Sequence, residues 1–299
     1  MIQHLAHSAI DKQRWDERLL RTRSPLWYAR SWVLDATTPG WEALVDEEHG
    51  AMMPLPWRRK WGVDYLYTPI ALQQLGVFAP DPSAPTIARM LAAVPERFRF
   101  WDLWLNEAMD PAGCAGFRLE ERTEQTIAIT AAGTMRSAYS EGHRRNLRKV
   151  AIDRITPFGW QAFVDLFEHT TARKHGGLAV VDKAALSRLL NVGCERGEVE
   201  IKAAWEGDTP VAAIAFVHWN ERTILLKSAN TERGQALRAL FTLVDNELAL
   251  RAPAGGVFDF AGSNDPGTAR FNEGFGARRS IYLRLVRNRL PAPLRWLKR

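Results

Sequence analysis

Apolar and polar positions alternate in two similar successions along the 299-residue chain. In the first half, Trp41 to Asp46 and Met52 to Trp57 read as strands around the polar turn Glu48-His49-Gly50, with Val63 to Tyr67 as a third strand. A helix is predicted over Ala84 to Val94, followed by the aromatic strand Phe98 to Asn106. In the second half, Val199 to Trp205 and Val211 to Trp219 flank Gly207-Asp208, and Thr223 to Lys227 makes a third strand. A helix over Leu237 to Leu250 and the aromatic strand Val257 to Phe260 come next. Then follow a polar turn from Gly262, a short helix ending at a glycine, and a last strand, Ile281 to Val286, that alternates apolar and basic positions.

The repeated order of three strands, helix and aromatic strand predicts two tandem units. The competing reading is that mixed α/β chains show such successions by chance. The alternating run Gln125 to Thr130 breaks at Ala131-Ala132-Gly133-Thr134, and Ser140 stands where an N-cap would precede a basic helix. The expected division is therefore 1–133 and 134–299.

The segment Asn230, Thr231, Glu232, Arg233, Gly234, Gln235, Ala236, Leu237 joins a strand to a helix. The unpaired amides and partial positive charge of a helix N-terminus hold phosphate, and Arg233 adds a charge-assisted contact. Asn230, Arg233, Gly234, Gln235, Ala236 and Leu237 are the expected phosphate site, against the plainer reading that Gly234 only makes a turn. The equivalent place in the first half, Ala79-Pro80-Asp81-Pro82-Ser83-Ala84-Pro85, lacks proline N–H donors and carries a repelling Asp81. The phosphate site is thus assigned to the second half.

The basic helix carries Arg145, Arg148 and Lys149 on one face, a phosphate clamp or simply a solvated surface. The formal charge of +6 suits acidic partners without choosing among them. With 46% hydrophobic residues the chain can bury a large core. Cys114 and Cys194 are too far apart in sequence for a Cys-x-x-Cys metal site or a disulfide framework, so no metal is expected. Residues 1–13 lack the apolar core of a signal peptide, and no stretch approaches the ~20 apolar residues of a membrane span, which predicts a cytoplasmic protein. Trp296 and Leu297 among cations near the C-terminus suggest peripheral contact with an anionic membrane, or a frayed basic end. No Gly-x-Ser-x-Gly, Walker or Gly-x-Gly-x-x-Gly motif occurs.

Several short segments carry a resemblance. Phe258-Asp259-Phe260 running to Gly262-Ser263, then Pro266-Gly267, Arg270-Phe271 and Phe275-Gly276-Ala277, resembles the end of transferase domains in the FemAB-like branch of the Gcn5-related N-acetyltransferase (GNAT) superfamily. That branch includes BioF2-like acyltransferases and peptidoglycan aminoacyl transferases. Ser140 to Lys149 resembles the basic segment entering its second domain, and Pro54-Leu55-Pro56, Tyr67-Thr68-Pro69 and Gln73-Gln74-Leu75-Gly76 its first.

The resemblance implies an α/β (α+β) fold of two tandem GNAT-like domains, each a mixed, mostly antiparallel sheet flanked by helices. It further implies an N-acyltransferase that moves an acyl group from acyl-CoA or an acyl-carrier protein to an amine by direct attack. Alternatives are an aminoacyl-tRNA-dependent transferase and a non-catalytic acyl-CoA-binding protein. On this reading Asp259 is the general base or amine-orienting group, or else a turn cap, with Glu273 and His218 as weaker candidates. Lys227, Asn230, Asn264, Arg270 and Arg145 border the second-domain site, and Tyr67, Gln73 and Gln74 face an acceptor cleft in the first.

Overall fold

A computed structural model describes residues 1–174 and 176–291. The C-terminal segment considered for membrane contact lies outside the described residues, apart from Pro291. The chain divides into two compact units: residues 1–122 with 281 onward, and residues 123–280. The division differs from the expected 133/134 because two strands belong with partners remote in sequence.

In the first unit, β1 (Ile2–Leu5), β2 (Glu42–Asp46) and β3 (Ala51–Leu55) form an antiparallel three-stranded sheet beside helices α1 (Lys12–Leu20) and α2 (Ser31–Thr37). A second sheet begins with the hairpin β4 (Trp57–Lys60) and β5 (Val63–Tyr67). From β5 the chain passes through α3 (Ala84–Ala92) to β6 (Phe98–Trp104), which runs parallel to β5. The other edge of β6 is taken antiparallel by the last strand, β13 (Arg278–Asn288), through Arg284 to Asn288. Leu66, Ile87, Phe98, Trp101 and Leu285 share one buried core, so the C-terminal strand supplies packing as well as hydrogen bonds.

The second unit repeats the plan. The strand β7 (Arg118–Ala128) enters it at Thr123 and leads through α4 (Ala132–Ala138), α5 (Glu141–Leu147) and β8 (Arg154–Pro157) to α6 (Trp160–Phe167). A π-helical turn, Glu168–Ala172, follows α6, and then comes α7 (Val180–Glu195). The antiparallel strands β9 (Val199–Glu206), β10 (Thr209–Trp219) and β11 (Arg222–Asn230) come next. After them come a short helix α8 (Glu232–Ala236), α9 (Ala239–Arg251), β12 (Val257–Asp259) and α10 (Pro266–Gly274). β12 runs parallel to β11 and antiparallel to β7. Thus both units contain a hairpin, a crossover helix and a parallel strand; the expected strand triplet holds in the second unit as β9, β10 and β11, whereas in the first it is split, β2 and β3 lying in the small sheet and β5 pairing with β4 in the other.

Ala212, Ile214 and Phe216 of β10 pack on Leu243, Val244 and Leu248 of α9, with Phe258 and Phe275. The intervening Ala213, Ala215 and Val217 therefore point to the opposite face, where α6 packs on β10 and β11. No helix among the described residues is long and apolar enough to cross a membrane.

Candidate functional site

Pairing between β11 and β12 covers only Arg222 to Ile224. Beyond that point β11 runs on from Leu225 to Asn230 with no further partner on that side among the described residues. An open strand edge leads to a cleft of about 310 Å³ lined by Asn146, Asn230, Gly234, Gln235, Arg238, Leu240, Phe241 and Phe271.

Local chemistry explains the shape of the cleft. Thr231 caps α8, its Oγ1 accepting from the Gly234 N–H at 2.9 Å. A Cβ at Gly234 would lie 2.3 Å from the Val211 carbonyl oxygen, so glycine here permits close approach of α8 to β10. The expected phosphate role of its N–H is corrected accordingly: that donor is already spent. Arg238 then breaks the chain into α9 with φ +61°, a left-handed conformation that costs a non-glycine residue energy. Its Nε donates to Asn146 Oδ1 at 3.2 Å and its Nη1 to the Gln235 carbonyl at 2.6 Å. Of the first-turn amides of the 13-residue α9, that of Phe241 donates to the Arg238 carbonyl at 3.1 Å, while those of Ala239 and Leu240, which have no acceptor within the helix, start beside this guanidinium. Asn230 Oδ1 is buried without a hydrogen-bond partner.

Of the expected donor residues, the cleft thus gathers Asn230, Gly234 and Gln235. Arg233 points elsewhere, its Nε held by Glu206 at 2.8 Å on the surface. Leu237 joins the core, and Ala236 ends α8 without lining the cleft. Sequence reading missed Asn146, Arg238, Leu240, Phe241 and Phe271. The Thr231-Glu232 pair is the signal that a helix starts before Leu237.

Beneath the cleft His143 sits buried, edge-on to Phe241 and Phe275 with centroids 4.9 and 4.7 Å away. Nε2 donates to the Phe271 carbonyl at 2.9 Å, which leaves Nδ1 to accept from Ser140 Oγ at 3.1 Å. Burial pushes its pKa below the ordinary histidine value. Because the folded form disfavours the proton, His143 stabilises fully above the unfolded pKa of about 6.5 and loses that contribution as pH falls through it. A urea series from pH 7.5 down to 5 is expected to show a steeper loss of stability for the wild type than for His143→Gln.

Asp259 is 1% exposed, and both carboxylate oxygens are engaged: Oδ2 accepts from Arg222 Nη1 and Oδ1 from the Ala261 N–H, each at 2.7 Å. The pair ties β11 to β12 at the point where they part. Its place as general base is therefore corrected to a structural one, a carboxylate shut from solvent with a donor on each oxygen. Glu273 accepts from Gln125 Nε2 at 3.3 Å. His218 belongs to a charged cluster in which its Nε2 lies 3.4 Å from Glu200. Glu200, His218 and Glu247 bring ligand atoms within 4.8 Å of one another, but Lys202 Nζ and Arg251 Nε, each 2.7 Å from Glu247, already neutralise that carboxylate. Burial alone would raise the Glu247 pKa, and the two cations more than reverse it.

Lys227 stands on the open stretch of β11. Arg145 is exposed on α5 with Asn146 as its neighbour in the cleft wall. Asn264 accepts from the Thr123 N–H at 3.0 Å, tying its loop to β7, and Arg270 donates to the Pro266 carbonyl at 3.1 Å within its own helix. In the first unit Gln73 and Gln74 are buried: Gln73 accepts from Tyr28 Oη at 3.2 Å and Gln74 from the Glu107 N–H at 2.9 Å. The expectation that they face a cleft is corrected to interior packing. Tyr67 lies under the Arg58 guanidinium, 4.4 Å from its ring centroid, with its phenol pKa raised by burial. Cys114 is buried, its thiol pushed up to about 11 by burial, which leaves it inert.

No protein-family model and no curated protein sequence matches the chain. Solved structures do. FemX superposes with a TM-score of 0.69 at 11% identity, covering 99% of each chain. A tandem GNAT protein from the clavulanic acid biosynthesis pathway gives 0.58 at 11% identity, over 98% of this chain and 100% of its own. L-PGS from Bacillus licheniformis gives 0.50 at 12% identity, over 96% and 94%. The chain therefore has the FemAB-like tandem GNAT fold.

Proposed function

We propose that the protein is an N-acyltransferase whose second unit binds a phosphate-bearing acyl thioester in the cleft at the start of α9 and delivers the acyl group to an amine along the open edge of β11. The observation that carries this reading is the juxtaposition of Arg238, the α9 first-turn amides and the strand edge left unpaired after Ile224. Helix amides and a guanidinium suit a pyrophosphate, Leu240, Phe241 and Phe271 suit an apolar arm, and an unpaired strand edge offers hydrogen bonds to an extended amide chain. Coenzyme A thioesters combine all three. Direct attack needs no covalent enzyme intermediate, and positioning supplies much of the rate.

Calorimetry with coenzyme A, acetyl-CoA and a long-chain acyl-CoA tests the reading. Arg238→Gly is the informative variant, because glycine accepts φ +61° freely while the cation is lost. Weakening of binding by about tenfold or more is expected, the scale of one charged hydrogen bond. Absence of binding by the wild type for all three ligands would overturn the thioester assignment in favour of a charged tRNA or an acyl-carrier protein.

A further inference from the structure

The β11 strand holds an irregularity with a chemical consequence. Phe216 pairs with Leu225 and Ala215 with Lys227, so Leu226 is bulged out of register. Leu225 packs into the α9 core. Regular alternation would put Lys227 on that same face, whereas the bulge rotates it beside Ala215 on the opposite face of the sheet. There β11 meets α6 and the π-helical turn, whose Thr171 Oγ1 donates to the Ser228 carbonyl at 2.8 Å.

Among the described residues the Lys227 ammonium has neither an ion pair nor a hydrogen bond. The strand residues on its face, Ala213, Ala215, Val217, Ile224 and Ala229, are apolar. The charged groups of α6 and the π-turn are engaged elsewhere: Glu168 and Asp165 with Lys183, and His169 with the Asp165 carbonyl. Burial is the whole cause of a lowered pKa at Lys227, with no charge acting on it. Lys227 is half-buried, and an amine held among apolar side chains without a counter-charge is costly to a fold; an available lone pair is what such a place provides.

Resting on the acyltransferase reading, we propose that Lys227 Nζ is the proton acceptor for the attacking amine. The acceptor nitrogen bonds to the thioester carbonyl carbon, and its N–H proton passes to Nζ. The C–S bond then breaks, and the leaving thiolate takes that proton back from the Lys227 ammonium, restoring the neutral amine. With Asp259 locked to Arg222 and Ala261, Lys227 is the ionisable group on this open edge whose lone pair is not already engaged.

Two measurements test the assignment. In protein labelled with carbon-13 at the lysine ε position, the Lys227 resonance, identified by its loss in Lys227→Arg, is expected to titrate well below the ordinary lysine range. In transfer assays with acetyl-CoA and an accepted amine, Lys227→Arg is expected to lower kcat by at least about a hundredfold, the usual share of a general base. Its affinity for acetyl-CoA should be unchanged, and the acidic limb of the wild-type pH profile should follow the Lys227 titration. A Lys227 that titrates in the ordinary lysine range, or a Lys227→Arg enzyme with undiminished kcat, overturns the proposal while leaving the donor site standing. Wild-type protein that binds no acetyl-CoA overturns the thioester reading and the base with it.

Discussion

Asp259→Ala is expected to cost about 3–5 kcal/mol of stability, the penalty for stripping one partner from a buried ion pair. Arg222 loses its 2.7 Å contact and the Ala261 N–H its acceptor at the same stroke. Because these bonds sit where β11 and β12 separate, the parallel pair at Arg222 to Ile224 should fray and the open edge widen. Asp259→Asn keeps an acceptor for Ala261 and should lose less, whereas Arg222→Met with Asp259→Leu should recover most of the loss by replacing the pair with apolar contact. Urea midpoints of the three variants decide the matter. A well-folded Asp259→Ala protein that binds donor normally but turns over poorly would restore the carboxylate to the reaction and remove it from the framework.

The second large effect is expected at Gly274. Alanine in a helix ordinarily gains about 1 kcal/mol over glycine. Here a Cβ would lie 1.9 Å from His143 Cε1. The ring has no room to yield, held by Ser140 and the Phe271 carbonyl and boxed by Phe241 and Phe275. Overpacking of about 1–3 kcal/mol or more therefore outweighs the helical gain. Since Phe241 and Phe271 both touch His143 and line the cleft, donor binding should weaken along with stability. Adding His143→Ala to Gly274→Ala should relieve the clash. Equal stability of Gly274→Ala and wild type in a thermal melt would contradict this packing account.

Much of the architecture was legible because the strands lie in hairpins bounded by polar, glycine-containing turns. Val63–Tyr67 was read with its observed limits, and Ser140 caps α5 as expected, accepting from the His143 N–H. The helices at 12–20, 31–37, 160–167 and 180–195 were not read, nor were the short strands β1, β4 and β8. In the site, local chemistry misled at Gly234, where a glycine before a helix suggests an anion and the structure uses it to clear the Val211 carbonyl. The cleft residue Arg238 has no sequence signal, since nothing marks a non-glycine residue at positive φ. The roles of Asp259 and Lys227 depend on register. One carboxylate meets a cation 37 positions away, and one lysine changes face because a single leucine bulges, events that no local pattern records.

The C-terminal strand has a consequence for how the protein is made. Residues 123–280 are contiguous, so on the ribosome the second unit can form its strand pairs before β13 is made. The first unit, begun earlier, cannot: the free edge of β6 waits for Arg284 to Asn288, which are made only after the whole of residues 123–280. Throughout that interval an aromatic strand, Phe98–Trp104, stays open to pairing with any neighbouring chain. The half that emerges first is thus the half that matures last, and chaperone demand during synthesis should fall on it.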